Sequence, residues 1–336
     1  MQQNYLVNPV FHARYIQPNI QWYISYFRGK RGIARLWREP LTWILKKYFL
    51  KQYFQKRVLR GIVDIPYVEI VLTTKCTLRC ESCNNLMQYF TSKNQYICTL
   101  DGILESLDRL LENVESIQRL RIIGGEPLIF KDLPQLVNAI EKRRKIRAFD
   151  IATNGTIVPK DELLHAFKNA KRFRKVSISD YSSSPNLKIP LQQEALFKKL
   201  KEYGISYSFL TGGIWYRVEK IYKRNRTQEN VIKNFLACQM PCVSLMSGDK
   251  GKDEMRENGH IFVCPIASSL SKLKGIEEFS GDYITLEKGD LRGKILSFYA
   301  QDYFKACDYC QDYSKPRVDI QAAIQTDEVL RIGDRD

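Results

Sequence analysis

From residue 66 onward, short runs of β-branched and aliphatic residues alternate with longer stretches in which apolar residues recur every three or four positions. Short apolar runs are typical of buried strands, and the longer recurrence is typical of helices with one apolar side. Strands that alternate with helices form parallel sheets, so the pattern predicts an α/β fold. The predicted strands are Val68–Leu72, Arg119–Ile123, Phe149–Ala152, Lys175–Ser179 and Ser206–Leu210, and the predicted helices between them are Leu100–Ser116 and Leu133–Arg143.

The first 65 residues have a different pattern, because cations and aromatic residues dominate them. They contain 12 Lys and Arg residues against two acidic residues, a net charge of +10 within a total of +16. A basic aromatic segment of this kind can pack on the rest of the protein, lie on an anionic membrane surface or attract nucleic acid. We predict one or two helices that pack on the fold, with contact at the inner membrane face as the alternative and nucleic acid as the least favoured partner.

The composition limits the class of protein further. A chain of 336 residues is long enough for one barrel-sized domain with appendages. It has no run of about 18 apolar residues, which argues against a membrane span, and it starts without the charged-then-apolar order of a secretory signal. Its nine cysteines fall in clusters, a distribution typical of metal ligation in a reducing cytosol. We therefore expect a cytoplasmic protein.

Three cysteines follow the first predicted strand with the spacing C-x3-C-x2-C, namely Cys76, Cys80 and Cys83. Four-iron clusters are normally held by four thiolates, so a loop that offers three leaves one iron open to a ligand that is not protein. A zinc knuckle is the alternative, although zinc sites favour paired C-x2–4-C knuckles that close on a fourth ligand.

Two polar turns follow later predicted strands, a Gly-Gly-Glu-Pro turn at residues 124–127 and a Thr-Asn turn at residues 153–154. Together with the cysteine spacing, their order and separation resemble those of the radical SAM superfamily. The resemblance implies that the three cysteines hold a [4Fe-4S] cluster and that the open iron binds S-adenosylmethionine. It implies reductive cleavage of that cofactor to a 5′-deoxyadenosyl radical, chemistry that the cofactor carries and the protein positions.

The resemblance also implies which side chains touch the cofactor. The glycine turn binds its amino group, with Glu126 as an acceptor, and the Thr-Asn turn and a neighbouring strand end contact its methionine or ribose. An electron donor such as flavodoxin or ferredoxin reduces the cluster. The implied cofactor-binding residues are Gly124, Gly125, Glu126, Pro127, Thr153, Asn154 and Ser179.

Radical SAM proteins usually fold as a partial (β/α)6 TIM-type barrel, with the active site at the carboxyl ends of the strands. The resemblance therefore predicts such a barrel at residues 66–235, preceded by the basic helical extension at residues 1–65. It predicts a small auxiliary domain at residues 236–315 and a C-terminal tail at residues 316–336.

A second group of cysteines lies after residue 235. A glycine turn, a short strand ending at Cys264 and the pair Cys307-x2-Cys310 resemble the SPASM/twitch extension of radical SAM enzymes. The resemblance implies one auxiliary [4Fe-4S] cluster ligated by Cys242, Cys264, Cys307 and Cys310, with Cys238 as the alternative to Cys242. A zinc site formed by the same thiols is the other interpretation.

Candidates for substrate contact lie at the ends of later predicted strands. They are Asp180 and Tyr181 after one strand, and Trp215, Tyr216 and Arg217 after a glycine pair. Barrel enzymes place such residues at the mouth of the active site. A turn cap explains Asp180 equally well.

Three functions are compatible with these motifs. The first is hydrogen abstraction from an anionic sugar, nucleotide-sugar or aminocyclitol, leading to oxidation or epimerisation, because the cysteine segments resemble those of radical SAM/twitch proteins of bacterial polysaccharide and glycan clusters. The second is maturation of a ribosomally made peptide, often aided by a winged-helix module that residues 1–65 do not show. The third is a non-catalytic iron–sulfur or zinc scaffold, which would not need the glycine turn. We favour the first, since a basic chain suits an anionic substrate.

Overall fold

The computed structural model describes residues 2–28, 40–210, 214–238, 243–247 and 259–333. Its strands are β1 (Asp64–Val71), β2 (Ser116–Ile123), β3 (Phe149–Thr153), β4 (Phe173–Ser179), β5 (Tyr207–Leu210), β6 (Ile214–Tyr216), β7 (Val243–Met246), β8 (His260–Phe262), β9 (Tyr283–Thr285) and β10 (Asp319–Gln321). Its α-helices are α1 (Gln2–Val7), α2 (Pro9–Phe11), α3 (Gln17–Arg28), α4 (Pro40–Leu59), α5 (Leu100–Asn113), α6 (Leu133–Lys142), α7 (Asp161–Asn169), α8 (Gln193–Glu202), α9 (Gln228–Ala237), α10 (Pro265–Lys274) and α11 (Arg292–Ala300). A π-helical turn, His12–Ile16, joins α2 to α3.

Eight of these strands form one mostly parallel sheet in the order β5-β4-β3-β2-β1-β7-β8-β9. Strands β1 to β5 and β7 run parallel, whereas β7 with β8 and β8 with β9 pair antiparallel. Strands β6 and β10 form a separate antiparallel pair. The predicted α/β class is confirmed, the mostly parallel sheet is consistent with the predicted partial TIM-type barrel, and the five predicted strands are present as β1 to β5.

The sixth parallel strand does not follow the sequential order of a barrel. In that order it would pair with β5, but β7 pairs with the other edge of β1, where residues 68–70 align with residues 243–245. Strand β7 thereby supplies partners for backbone groups that would otherwise form an open edge. Strands β8 and β9, from the predicted auxiliary region, extend the same sheet. The domain boundaries given above stay predictions.

Helix α5 illustrates how local sequence sets the element ends. The hydroxyl of Thr99 accepts a hydrogen bond from the Gly102 N–H at 3.1 Å and so caps the first turn. The sequence predicted a helix as far as Ser116, but the helix ends at Asn113 because Ser116 already pairs with Asp64 in the sheet.

The helical extension packs on the sheet. Phe11, Tyr15 and Phe54 are buried, and α3 contacts β1 and β2. The first residue of β1 anchors the extension, because the Asp64 N–H donates to the Tyr15 hydroxyl at 2.7 Å and the Asp64 carboxylate accepts from Arg57 at 2.6 and 2.9 Å. Within the described ranges, the helices are too short or too polar to span a bilayer.

Candidate active site

The carboxyl ends of β1 to β4 share one edge of the sheet, and a predicted site segment follows each of them. The cysteine loop (residues 72–99) follows β1, the glycine turn (residues 124–127) follows β2, Asn154 follows β3 and Asp180 follows β4. Parallel strands bring their carboxyl ends together, so the fold gathers segments that are distant in sequence. This edge is the candidate active site.

The three cysteines of the loop lie together. Cys76, Cys80 and Cys83 pack with Leu78 and Ala323 in a small apolar cluster separate from the main core. Burial raises the pKa of Cys80 to about 12 and raises the pKa of the other two thiols as well. Buried thiols of this kind stay protonated until a metal ion displaces the proton, so the loop suits metal ligation rather than nucleophilic catalysis.

N–H groups point at the cysteine sulfurs. The Cys76 sulfur accepts hydrogen bonds from the backbone N–H of Leu78 at 3.5 Å and from the side-chain amide of Asn154 at 3.6 Å. The Cys83 sulfur accepts from backbone N–H groups of the turn at residues 85–87. Hydrogen bonds of this type stabilise thiolates that bind iron and influence the reduction potential of the cluster.

The third sulfur, that of Cys80, accepts from the side-chain amide of Gln325 at 3.3 Å. A cubane binds each thiolate through a different iron, so three thiols in one loop leave the fourth iron open to another ligand. The residues present fit a [4Fe-4S] cluster.

The two glycines allow their turn to pass directly against the cysteine loop. A Cβ atom on Gly125 would lie 2.2 Å from the Lys75 carbonyl oxygen, and one on Gly124 would lie 2.7 Å from that of Thr73. In this close approach the Gly125 N–H donates to Thr73 at 2.7 Å and the Glu126 N–H donates to Lys75 at 2.9 Å. Here the missing side chains make room for the backbone of the cysteine loop.

Glu126 is fully buried and ties two strand ends together. Its carboxylate accepts from the Leu128 N–H at 3.1 Å, the Asn154 N–H at 2.9 Å and the Thr153 hydroxyl at 2.9 Å. Burial raises the pKa of Glu126 to about 7, although these donors oppose the rise. Pro127 is the first residue of a short 3₁₀ helix, Pro127–Ile129, and Glu126 caps it. The geometry gives Glu126 a positioning role, and direct contact with the cofactor stays a prediction.

Asn154 connects β3 to the cysteine loop. Its amide donates to the Thr77 hydroxyl at 2.9 Å, and its carbonyl oxygen accepts from the Thr156 N–H at 3.0 Å and hydroxyl at 2.7 Å. The two threonine hydroxyls are 2.7 Å apart and hydrogen-bonded to each other. This network holds the Asn154 amide beside Cys76.

Tyr181 packs against the cysteine loop. Its ring meets that of Trp215 edge to face at 5.3 Å, and both rings border the apolar cluster around the cysteines. Burial raises the pKa of Tyr181, and Ser179 hydrogen-bonds to it. Asp180 instead accepts from the Ser182 N–H at 3.0 Å and hydroxyl at 2.6 Å, so it caps the turn.

The segment after β6 carries the remaining candidates. The Arg217 N–H donates to Val318 at 2.8 Å and continues the pairing of β6 with β10. Side chains two positions apart on a strand share a face, so the exposed Arg217 lies on the same side as Trp215. Tyr216 faces the opposite way and is 53% exposed, with the Arg317 guanidinium 4.7 Å from its ring. Trp215 therefore borders the site, and strand alternation predicts Arg217 on the same side.

The second group of cysteines also comes together. Burial raises the pKa of Cys264 to about 12, and neighbouring Cys238 raises that pKa further. Cys307 and Cys310 lie beside both of these thiols and have raised pKa values for the same reasons. Cys242 lies outside the described residues. We call Cys238, Cys264, Cys307 and Cys310 the second thiol site; none of the eight described cysteines forms a disulfide.

Polar side chains hold the C-x2-C turn of the second thiol site. Arg226 donates to the carbonyl oxygens of Cys310 at 3.0 Å and Cys307 at 3.3 Å. Asp308, between the two cysteines, accepts from the Arg226 N–H at 2.9 Å, and Asn234 donates to Cys307 at 3.4 Å. The turn is therefore held by contacts with the segment that leads into α9 and with α9 itself.

A buried cation from the N-terminal extension lies beside the second thiol site. Arg14 donates to the carbonyl oxygens of Phe298 at 3.2 Å and Gln301 at 3.3 Å, while its other terminal nitrogen is buried and has no hydrogen-bond partner among the described residues. Burial lowers the pKa of Arg14, and negative charge at the neighbouring thiols opposes that change. A buried cation is costly beside neutral thiols and is compensated beside an anionic cluster. The second thiol site thus fits a cluster ligated by thiolates.

Three residues near the two sites were not identified from the sequence: Arg14, Gln325 and Tyr313. Burial raises the pKa of Tyr313, and the thiols of the second site raise it further, which places Tyr313 next to them. Gln325 ends the tail segment at residues 320–325, whose sequence also resembles that of radical SAM/twitch proteins, whereas Arg14 and Tyr313 had no distinguishing pattern around them.

Among known protein families, the model of the Radical SAM superfamily matches residues 70–254 of this chain. A GTP 3′,8-cyclase of Helicobacter pylori (strain J99 / ATCC 700824) is 25% identical over 254 residues, which cover 73% of this chain and 76% of that protein. The GTP 3′,8-cyclase of H. pylori strain HPAG1 is 31% identical over 149 residues, which cover 44% of each chain.

A weaker likeness exists to the solved structure of BtrN in complex with AdoMet and 2-DOIA. It is 13% identical, covers 79% of this chain and 97% of that chain, and has a TM-score of 0.40. The superfamily match spans more than half of this chain and includes the cysteine loop, the glycine turn and Asn154. The chain therefore belongs to the radical SAM superfamily, and its cofactors are a [4Fe-4S] cluster and S-adenosylmethionine.

Proposed function

We propose that the protein is a radical SAM oxidoreductase or epimerase that abstracts hydrogen from a phosphate-bearing sugar or nucleotide-sugar and that carries one auxiliary [4Fe-4S] cluster. The observation that carries this proposal is the second thiol site, where three buried thiols and the thiol of Cys238 lie beside a buried cation. Cys238 is the fourth ligand that the described residues offer, in place of Cys242.

At the first site the chain positions and shields the reacting groups. When bound to Cys76, Cys80 and Cys83, the cluster supplies the electron that cleaves S-adenosylmethionine to methionine and the 5′-deoxyadenosyl radical. The glycine turn holds the cysteine loop against the end of β2, and Asn154 holds it from β3. The rings of Tyr181 and Trp215 pack next to the loop, and such packing would help to protect a reactive carbon radical from water.

The second thiol site is consistent with an oxidation. A substrate that gives a hydrogen atom to the 5′-deoxyadenosyl radical and a proton to a base must still lose one electron to complete a two-electron oxidation. A cluster held by the second thiol site would be an acceptor for that electron.

The charge of the chain supports a phosphate-bearing substrate. The net charge is +16, and the exposed Arg217 shares its face with Trp215 beside the cysteine loop. An arginine binds phosphate oxygens through two parallel hydrogen bonds. The H. pylori relative is named for GTP, which itself carries a ribose and phosphates. An uncharged or cationic aminocyclitol fits this surface less well.

The other two functions have less support. Before Asp64, the regular structure that the described ranges contain is helical, whereas a winged-helix module for a peptide leader also needs strands. A scaffold without activity would not need Glu126 and Asn154 arranged at the cysteine loop.

The proposed enzyme also needs an electron donor for its first cluster. An acidic flavodoxin or ferredoxin suits a basic surface in that role.

Formation of 5′-deoxyadenosine by the anaerobically reconstituted, reduced protein tests the substrate class. We expect GTP or nucleotide-sugars to accelerate it and their dephosphorylated forms not to do so, with deuterium passing from the labelled substrate into 5′-deoxyadenosine. Arg217→Gln should raise the half-maximal nucleotide concentration about tenfold or more, since a hydrogen bond to a charged group contributes about 1.5–3 kcal/mol.

Arg144→Gln is the matched control, because Arg144 is exposed in the turn before β3, at the opposite end of the strands. Acceleration by a peptide, with no response to any phosphate-bearing compound, would support the peptide function and reject ours.

A further inference from the structure

The C-terminal tail lies on the cysteine loop. Residue 325 forms an isolated antiparallel bridge with Cys80. The Glu81 N–H donates to the Ile324 carbonyl at 2.8 Å, and the Thr326 N–H donates to the Arg79 carbonyl at 2.9 Å. Residues 324–326 thus act as a short extra strand along the segment between the first and third cysteines. We call residues 322–327 the tail turn.

Gln325 uses both ends of its side chain at this contact. Its carbonyl oxygen accepts from the Arg79 N–H at 2.8 Å. Its amide nitrogen donates to the Cys80 sulfur at 3.3 Å and to the Ala323 carbonyl at 2.6 Å. The side chain is only 8% exposed. Because both the oxygen and the nitrogen of this buried amide group are hydrogen-bonded, the group has one orientation and its N–H stays directed at the Cys80 sulfur.

The tail turn is held by the loop that follows β4. The side-chain amide of Asn186 donates to the backbone carbonyl of Gln325 at 2.9 Å, and its oxygen accepts from the backbone N–H of Gln325 at 2.8 Å. Ser184 donates to the Ala323 carbonyl at 2.8 Å. Ala323 is fully buried against the cysteine loop. These contacts keep the tail turn in place independently of the hydrogen bond to sulfur.

We propose that Gln325 is a positioning residue of the radical-generating site: it orients the cysteine loop and raises the reduction potential of the cluster through its hydrogen bond to the Cys80 sulfur. An N–H donor withdraws electron density from the thiolate and so favours the added electron. The tail turn also keeps water from this side of the loop, a second influence on the potential. The inference concerns the first cluster only and does not depend on the auxiliary cluster or on the substrate.

The midpoint potential of the first cluster, from an anaerobic redox titration followed by electron paramagnetic resonance, tests the inference in the full-length, cluster-loaded protein. The signal that changes when S-adenosylmethionine is added identifies this cluster. Gln325→Met removes all three side-chain hydrogen bonds at similar volume, and Gln325→Glu keeps the acceptor for Arg79 but removes the donor to the Cys80 sulfur and to the Ala323 carbonyl.

Both variants should still bind the first cluster. Its reduction should be at least tenfold less favourable than in the parent, which corresponds to a midpoint potential lower by about 59 mV for one electron. Gln321→Met is the control, because Gln321 lies on β10 with an exposed side chain; its potential should equal that of the parent. A parental potential in Gln325→Met overturns the inference. If that variant holds no first cluster, the Gln325→Glu titration decides, and a parental potential there overturns it equally.

Discussion

Glu126 is a buried carboxylate whose oxygens already have donors within the protein. Its raised pKa, about 7, means that folding favours the protonated form compared with an exposed glutamate. Two of its donors are backbone N–H groups, that of Leu128 in the turn after β2 and that of Asn154 directly after β3. Glu126 therefore holds the turns after β2 and β3 together beside the cysteine loop. Its carboxyl group changes its charge near neutral pH.

This residue should make stability depend on pH. The native pKa of about 7 lies above the unfolded value of about 4.3, so between those values the native state holds more protons and the free energy of unfolding falls as pH rises. The stabilisation is complete below about pH 4 and lost above about pH 7. We expect the melting temperature of the parent to fall from about pH 5 to pH 7, and Glu126→Gln to flatten that fall.

Glu126→Gln also turns an NH₂ group toward backbone donors, which should cost about 1–3 kcal/mol at the acidic end. Glu112→Gln, at an exposed position on α5, is the control for calorimetry. An unchanged slope in Glu126→Gln would show that other groups produce the pH dependence.

At this scale the sequence identified residues that sit in local patterns and missed those that act at long range. Cys76, Cys80 and Cys83 are grouped by their own spacing, and Glu126 follows a glycine pair. Gln325 meets Cys80 across 245 positions, and nothing in the sequence around Gln325 specifies that partner. This contact depends on how the tail packs against the cysteine loop and the loop after β4, which short sequence patterns do not encode.

At the scale of elements, the N-terminal helices are part of the folded protein. Helix α3 covers β1 and β2, and Arg14 reaches from the π-helical turn to the second thiol site. The sequence predicted helices and packing here, but periodicity alone could not show that one cation faces inward. On α4, Tyr48 and Phe49 are 59% and 61% exposed, so contact of this helix with an anionic membrane stays a prediction.

Arg14→Met should weaken the second thiol site specifically. Removing one partner of a buried charge pair typically costs about 3–5 kcal/mol, so we expect a lower melting temperature and loss of about four irons per chain. Lys51→Met, at an exposed position on α4, should change neither quantity. Calorimetry and iron analysis are the measurements. Full retention of iron and melting temperature in Arg14→Met would mean that no anionic cluster lies beside it.

At the scale of the whole molecule, one helix connects the two cysteine sites. Cys264 caps α10 by accepting from the Ala267 N–H at 3.4 Å, and Ser269 on the same helix donates to the Asn85 carbonyl at 2.8 Å, two residues beyond Cys83. The sequence predicted both sites but not this connection, because β7 to β9 were expected in a separate domain. A shared sheet and a shared helix are compatible with our proposal that two clusters serve one substrate.

The decisive measurement is formation of 5′-deoxyadenosine from S-adenosylmethionine, together with iron content, in anaerobically reconstituted and reduced protein. We expect about eight irons per chain and cleavage in the parent. Replacing Cys76, Cys80 and Cys83 by alanine should leave about four irons and abolish cleavage, whereas replacing Cys307 and Cys310 should leave about four irons and retain it. Cleavage at the parental rate in the variant without the three loop cysteines would contradict the assignment of the radical-generating site.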